Sequence, residues 1–474
     1  MSAIEPVMTI GGAAVDSTRR IDVVNPATEQ VLGSAPDCSP AQLDDAVAAA
    51  RGAADAWAAR PIDERKRHLC ALSDAILAAA DDLSRLLTSE QGKTLADARG
   101  EIEGAARAIR FWTTLDLPTL VTEDTPERRV ETVRVPLGVV AAISPWNFPI
   151  VLAIMKVAPA MLAGNSVILK PSPFTPLTTL RVGEIARDIL PAGVLNVISG
   201  GDQLGPWLTA HPGIDKVSFT GSTETGRRVM ESAAPTLKRL TLELGGNDPV
   251  IVLPDVDVEQ VAPKLFWAAF RNSGQICIAA KRIYVHAAIY DRMLSVFARM
   301  AEDVRVGDGT EQGVQLGPLN NAGQFRRVRA LIDQSVAAGL RIVPQHAPAA
   351  GPGFFIRPAI VDNPPEDAPI VRQEQFGPIV PLMRFDDIDD AIDRANATEY
   401  GLGASVWGAD EASALAVARR LQSGMVWVNE SPTLPPSAPF AGHKQSGVGA
   451  ENGMEGLLSF TAPRTFVVRH SVST

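Results

Sequence analysis

Cysteine is scarce: Cys38, Cys70 and Cys277 are the three in 474 residues, with no CxxC pair and no Cys/His spacing. So sparse and odd a set argues against a disulfide framework and a structural zinc site, and it fits a reducing compartment. The N-terminus, MSAIEPVMTIGG, lacks a basic segment followed by an apolar one and is not an Arg/Ser-rich amphipathic leader. Secretion is therefore not expected, and a cytoplasmic location is. Basic stripes with interleaved aromatics are absent too, and 44 Lys+Arg stand against 54 Asp+Glu for a formal net charge of −10. Neither nucleic acid nor an anionic membrane surface is expected as a partner. Long apolar runs are also missing. Residues 138–169 come nearest, but Pro145, Pro149, Pro159, Asn147, Lys156 and Asn165 interrupt them. Polar groups at that density are costly in hydrocarbon. The stretch reads instead as buried strand, loop, buried helix, buried strand.

What is present belongs to a globular chain, 46% hydrophobic and 21% charged. Its length calls for two or three domains, with core enough to need no metal or disulfide. Ser39-Pro40 is an N-cap followed by Pro at the first helical position, and Leu43, Val47 and Ala50 recur at helical spacing. A second core stripe runs through Leu69, Leu72, Ile76 and Leu77 and on through Leu83 and Leu86. From Gly138 strands and helices alternate. Strands are predicted at 139–143, 166–169, 194–198 and 216–219, and helices at 150–162, 176–189, 204–210 and 223–233. A second set follows, with strands at 249–253, 283–286, 404–407 and 425–428 and helices at 258–270 and 290–304. Such alternation implies an α/β fold with a doubly wound parallel sheet, which binds ligands beyond the carboxyl ends of its strands. Residues 129–135 and 465–469 read as β segments outside both sets. Segments 346–353 and 431–439 read as loops.

Several short motifs bear chemistry, and each alone also has an ordinary reading. Asn272-Ser-Gly-Gln-Ile-Cys277 places a lone Cys after a glycine turn. A thiolate there is a strong nucleophile if a helix end or a base lowers its pKa; the ordinary reading is a buried structural cysteine. Glu243, in Leu242-Glu-Leu-Gly-Gly246, suits general-base work in a partly buried pocket, or is simply a solvated Glu. Asn147, in Ser144-Pro-Trp-Asn-Phe-Pro149, sits in a rigid loop where its amide can donate to a developing oxyanion; turns also use Asn constantly. Phe219-Thr-Gly-Ser-Thr-Glu-Thr-Gly226 opens a helix whose first N–H groups can hold a pyrophosphate. It matches neither the Walker loop nor GxGxxG. Lys170-Pro-Ser172 ends another strand, where a cation can reach ribose or phosphate. Gln373-Glu-Gln-Phe-Gly-Pro378 and Pro439-Phe-Ala-Gly-His-Lys-Gln-Ser-Gly447 complete the set.

Taken in chain order, from Ser144-Pro-Trp-Asn-Phe-Pro149 to Pro439-Phe-Ala-Gly-His-Lys-Gln-Ser-Gly447, these seven motifs closely resemble the aldehyde dehydrogenase superfamily over essentially the whole chain. The resemblance implies that Cys277 attacks an aldehyde, that Asn147 and the Cys277 backbone N–H form the oxyanion hole, and that Glu243 activates water to hydrolyse a thioester. Members that pass the acyl group to coenzyme A lack a base at that position, so its presence favours hydrolysis. For the cofactor, the resemblance points to Ile143, Pro145, Trp146, Lys170, Ser172, Gly200, Gly205, Phe219, Gly221, Ser222, Leu244, Gly245, Glu374 and Phe376. NAD is expected, with NADP left open: Pro173 stands where NAD-preferring relatives often carry a ribose-binding Glu. The substrate pocket maps to Phe148, Leu152, Met155, Arg271, Ile276, Ile278 and Phe440, mostly apolar. Arg271 matches a carboxylate-binding Arg of succinic semialdehyde dehydrogenases, but their second Arg corresponds to Met155.

By the same resemblance, residues 1–115 and 138–246 would form a dinucleotide-binding domain and 247–430 a catalytic one. Residues 116–137 and 455–474 would form an oligomerisation ribbon, and 431–454 a return segment beside the active site. A homodimer or homotetramer is expected. The family's Phe-Gly-Gly and Gly-Arg-Glu become Phe440-Ala441-Gly442 and Gly449-Ala450-Glu451 here, and Ala462 replaces an acidic residue of some relatives, which leaves the choice between them open. Two rival readings are a cysteine hydrolase without redox chemistry and a non-catalytic relative.

Overall fold

A computed structural model describes residues 5–346, 351–430 and 432–470. The predicted loops at 346–353 and 431–439, and the terminal segments, lie partly outside these. The fold is α/β. Its larger sheet has at its centre the parallel strands Leu195–Val197, Ser166–Lys170, Val139–Ile143, Lys216–Thr220 and Arg239–Glu243, adjacent in that order. Antiparallel pairs flank them: Met8–Ile10 beside Leu195–Val197, and Gly447–Val448 beside Arg239–Glu243. From Val139–Ile143 the chain winds outward one way, returns, and winds the other way. The crevice of such a sheet lies where the strand order reverses, here between Val139–Ile143 and Lys216–Thr220.

The second sheet is parallel over Ala359–Asp362, Ile379–Phe385, Arg282–His286, Pro249–Val252, Gly403–Trp407 and Met425–Val428. A third sheet is antiparallel, with Arg128–Pro136 between Leu120–Asp124 and Thr461–Arg469. Residues 138–169 resolve into strand, loop, helix Pro149–Leu162 and strand. Among the described residues no helix is long and apolar enough to cross a membrane.

Local signals explain most boundaries. Ser39 caps helix Pro40–Ala58 through a reciprocal bond with Gln42, the capping box. Asp257 and Ser222 cap Val258–Phe270 and Thr223–Ala233. The stripe from Leu69 to Leu86 is not one helix. The backbone leaves helical geometry at Ala79 (φ −95°, ψ 9°), dividing Ile62–Ala78 from Ala80–Gln91. Leu77, expected in the core, is 43% exposed.

Candidate active site

The carboxyl ends of the first sheet meet the amino ends of the second. Pro145, Trp146 and Asn147 follow strand Val139–Ile143, and Thr220, Gly221 and Ser222 end or follow Lys216–Thr220. Leu244 and Gly245 follow Arg239–Glu243. Opposite them, Cys277 precedes Arg282–His286, and Glu374 and Phe376 precede Ile379–Phe385. With Gln324 and Arg327 these residues line one cleft, open to solvent, of about 610 Å³.

The turn before the cysteine is tightly made. Asn272 (φ 52°), Ser273 (φ 55°) and Gly274 (φ 73°) all adopt positive φ. A Cβ on Gly274 would overlap the Gly377 carbonyl, so both conformation and space require glycine there. Side chains hold the unusual backbone: Ser273 Oγ donates to Gly317 O at 2.7 Å and Gln275 Nε2 to Asn272 O at 2.8 Å. Cys277 is half-buried. Its thiol is pushed up to about 12, first by burial and then by Asp248, Glu374 and Glu243, against the pull of Lys281. Burial thus keeps the thiol protonated, and the sulfur reacts with help from a base or a bound group.

Asn147 is 4% exposed and donates from Nδ2 to Gln275 O at 2.9 Å, which ties the two loops together. An amide has two N–H groups, so a second donor remains. Behind this loop sits a buried ion pair. Lys93 Nζ reaches Glu101 Oε2 at 2.5 Å and Asn147 O at 2.9 Å, and lies 3.8 Å from the Phe148 ring centroid. Glu101 Oε1 accepts from the N–H groups of Ile150 and Val151 at the start of helix Pro149–Leu162. Lys93→Met strands a buried carboxylate, and should lower stability by about 3–5 kcal/mol. The denaturant midpoint will measure this, and a loss under about 1 kcal/mol would show the pair to be dispensable.

Glu243 closes its strand, is 3% exposed, and neither carboxyl oxygen has a hydrogen-bond partner among the described residues. Burial and the nearby Glu451 hold it well above the usual carboxylate range, while Lys156 acts the other way. Lys156 donates to Thr220 Oγ1 at 2.6 Å and to Glu451 Oε1, and Ser218 Oγ also donates to Glu451, at 3.3 Å.

Ser222 Oγ accepts the Thr225 N–H, so the hydroxyl caps the helix it opens. Trp146 meets Phe376 edge-on, centroids 5.3 Å apart. Gln324 donates to the carbonyls of Gln375 and Phe376, and Arg327 to that of Glu374, which fixes this segment. A Cβ on Gly245 would meet Glu374 Oε2 at 2.6 Å. Helix-start N–H groups and an aromatic on one side thus face a carboxylate and a second aromatic on the other, a donor and acceptor set that fits phosphate, ribose and a flat ring. Ile143, Lys170, Ser172, Gly200, Gly205 and Phe219 lie outside the cleft lining. Ile143, Lys170 and Phe219 lie at or next to the carboxyl ends of the same strands, and Gly200 and Gly205 flank the start of helix Leu204–Ala210. Burial lowers the Lys170 ammonium to about 8, against Asp202.

On the other side of Cys277, Ile276, Ile278 and Phe440 pack with Leu402, Met425, Trp427 and Leu434. Leu152 and Met155 stand outside that cluster, on helix Pro149–Leu162. Arg271 is 55% exposed and its Nε lies 3.0 Å from Asp97 Oδ1. Several site residues were not singled out from sequence: Lys93, Glu101, Lys156, Gln324, Arg327, Trp427 and Glu451. Lys156 did carry a signal, as the lone charge in an apolar helix.

Residues 14–466 match the family described as "Aldehyde dehydrogenase family". A phenylacetaldehyde dehydrogenase of Pseudomonas fluorescens is 41% identical over 98% of this chain and 96% of its own. An Escherichia coli NADP-dependent enzyme superposes with a TM-score of 0.95 at 36% identity, covering 98% of each chain. An NAD-dependent aldehyde dehydrogenase from Sinorhizobium meliloti does so at 0.95 and 34%, covering 98% of this chain and 95% of its own. The chain belongs to the aldehyde dehydrogenase family, as an enzyme that oxidises aldehydes to acids with a nicotinamide cofactor.

Proposed function

We propose hydrolytic oxidation of an apolar aldehyde, carried by one observation: Cys277 and Asn147 line the same cleft as Ser222, Gly245 and Glu374. The Cys277 thiolate adds to the carbonyl carbon, and the free N–H of Asn147, with the Cys277 backbone N–H, receives the oxyanion. The helix start at Ser222 and the Glu374 carboxylate would hold a nicotinamide, which would supply the two-electron oxidation needed to take the Cys277 adduct from thiohemiacetal to thioester. Glu243 then takes a proton from water as the water attacks the acyl carbon, releasing the acid and the thiol. Burial raises its affinity for protons, which suits it to accept one from water. The first sheet, with residues 1–115 and 138–246, is the cofactor side, and residues 247–430 carry the nucleophile. Pro173 offers neither a hydrogen bond to ribose hydroxyls nor repulsion to a 2′-phosphate, so both cofactors are assigned to the site, NAD first.

The apolar cluster beside Cys277 favours aliphatic or aromatic aldehydes. Arg271 contributes no free charge to it, being exposed and paired with Asp97. An aldehyde panel with NAD and NADP in parallel, followed at 340 nm, tests the reading. If no aldehyde is oxidised at saturating levels of either cofactor, the reading is wrong, and ester hydrolysis alone would favour a cysteine hydrolase. Arg271→Ala should change kcat/KM for hexanal and succinic semialdehyde by the same factor, within about threefold, as expected for an exposed ion pair. A loss confined to the semialdehyde would instead make Arg271 a carboxylate-binding residue.

A further inference from the structure

Lys281 stands four residues after Cys277, its side chain only 2% exposed. Its ammonium donates to the Cys277 carbonyl and pairs with Glu374 Oε1 at 3.0 Å. It also lies 5.9 Å from the Phe376 ring centroid. Glu374 Oε1 in turn accepts the Gly246 N–H at 3.2 Å, two peptide bonds beyond Leu244 in the turn after Glu243. One buried cation thus joins three walls of the cleft: the nucleophile's segment, the turn after the base, and the Glu374–Phe376 segment.

Burying an ammonium costs several kcal/mol unless good partners offset it, and an apolar side chain would fill the same space without that cost. Packing therefore gives no reason for a charge here, whereas electrostatics does. The carboxyls acting on the sulfur are Asp248, Glu374 and Glu243, and Lys281 is the cation set against them. Asp248 lies beneath the same lysine: it is 3% exposed, and its backbone oxygen accepts the N–H of Lys281 at 3.1 Å.

We propose that Lys281 is a positioning residue that locks the Glu374 carboxylate to the Cys277 loop and supplies a positive charge beside Cys277. The role of Glu374 toward a cofactor rests on the function proposed above; the link among Lys281, Glu374 and Cys277 does not. Two consequences follow. Removing the charge makes the thiol a poorer nucleophile even with no cofactor present, and it frees Glu374 to leave the position in which it meets a ligand.

The test uses the full chain with Lys281→Met, Lys281→Arg and Glu374→Gln. Alkylation of Cys277 by iodoacetamide is followed against pH without cofactor, reading the Cys277 peptide by mass spectrometry so that Cys38 and Cys70 do not interfere. Loss of a cation this close should slow alkylation at pH 8 about tenfold in Lys281→Met. Lys281→Arg should restore most of the rate, and Glu374→Gln, which removes an opposing charge, should speed it a fewfold. Steady-state kinetics should show cofactor KM raised about tenfold in Lys281→Met, with Glu374→Gln adding little in that background, because linked residues are not additive. An unchanged alkylation profile in Lys281→Met overturns the proposal. If that variant does not fold, an unchanged profile in Glu374→Gln overturns it instead. Should wild type oxidise no aldehyde, the alkylation profiles still decide this point.

Discussion

Cys277→Ala will reduce aldehyde-dependent formation of the reduced cofactor by about 10⁴-fold or more, the scale of losing a covalent nucleophile, while binding of the cofactor stays within about twofold. The turn that presents the sulfur explains why the loss should be chemical and not structural. Positive φ at Asn272, Ser273 and Gly274 is held by bonds from Ser273 and Gln275, and none of these involves the Cys277 side chain. Cofactor titration by fluorescence and an aldehyde assay at 340 nm measure the two halves separately. A variant retaining more than about 1% of the rate would show that another group carries the addition, and Asn147 would then orient a different reaction.

Glu243→Gln will split the cycle. The first half needs no base for water, so one equivalent of reduced cofactor should appear per active site. Turnover should then slow by about 10²–10⁴-fold, the usual contribution of a positioned base. Rapid mixing reads the burst, and intact mass reads the acyl group held on Cys277. Slow turnover without either would place the base elsewhere, with Glu451 the next carboxylate to test. The substitution also has a pH signature. Glu243 binds its proton more tightly in the folded chain than a free carboxyl does. Its burial therefore favours folding below the ordinary value of 4.5 and costs stability as pH rises above it. Wild type should thus lose stability relative to the glutamine variant as the pH rises above 4.5.

The winding of the sheets was legible because its signals are local. Ser222 before Thr223–Ala233 and Asp257 before Val258–Phe270 mark helix starts, and the strand Met425–Val428 coincides with its apolar run. The break at Ala79 was not legible, because alanines on both sides give no punctuation. Cys277, Asn147 and Glu243 stood out only in company, as members of an ordered set of motifs. Their supports did not stand out, because nothing local joins Lys156 to Glu451, 295 residues away, or Asp97 to Arg271, 174 residues away. The resemblance left open whether Arg271 binds a substrate carboxylate, and only the fold reveals Asp97 beside it. Lys281 shows the same limit at short range: four residues from the nucleophile, its meaning depends on Glu374 from another strand's approach.

The antiparallel ribbon bears on how the chain is made. Thr132 and Thr465 face each other across it, 333 positions apart in the chain. At a synthesis rate of about 5–20 residues per second, strand Arg128–Pro136 waits roughly 20–70 s for that partner. During that interval its backbone edge is open to any other extended segment, and Lys156 has no Glu451 to meet. The nascent chain is therefore most exposed to mispairing midway through translation. One late stretch, residues 451–469, closes the ribbon and the wall behind Glu243 together. A chain stalled before that stretch would have neither an active site nor a protected sheet edge.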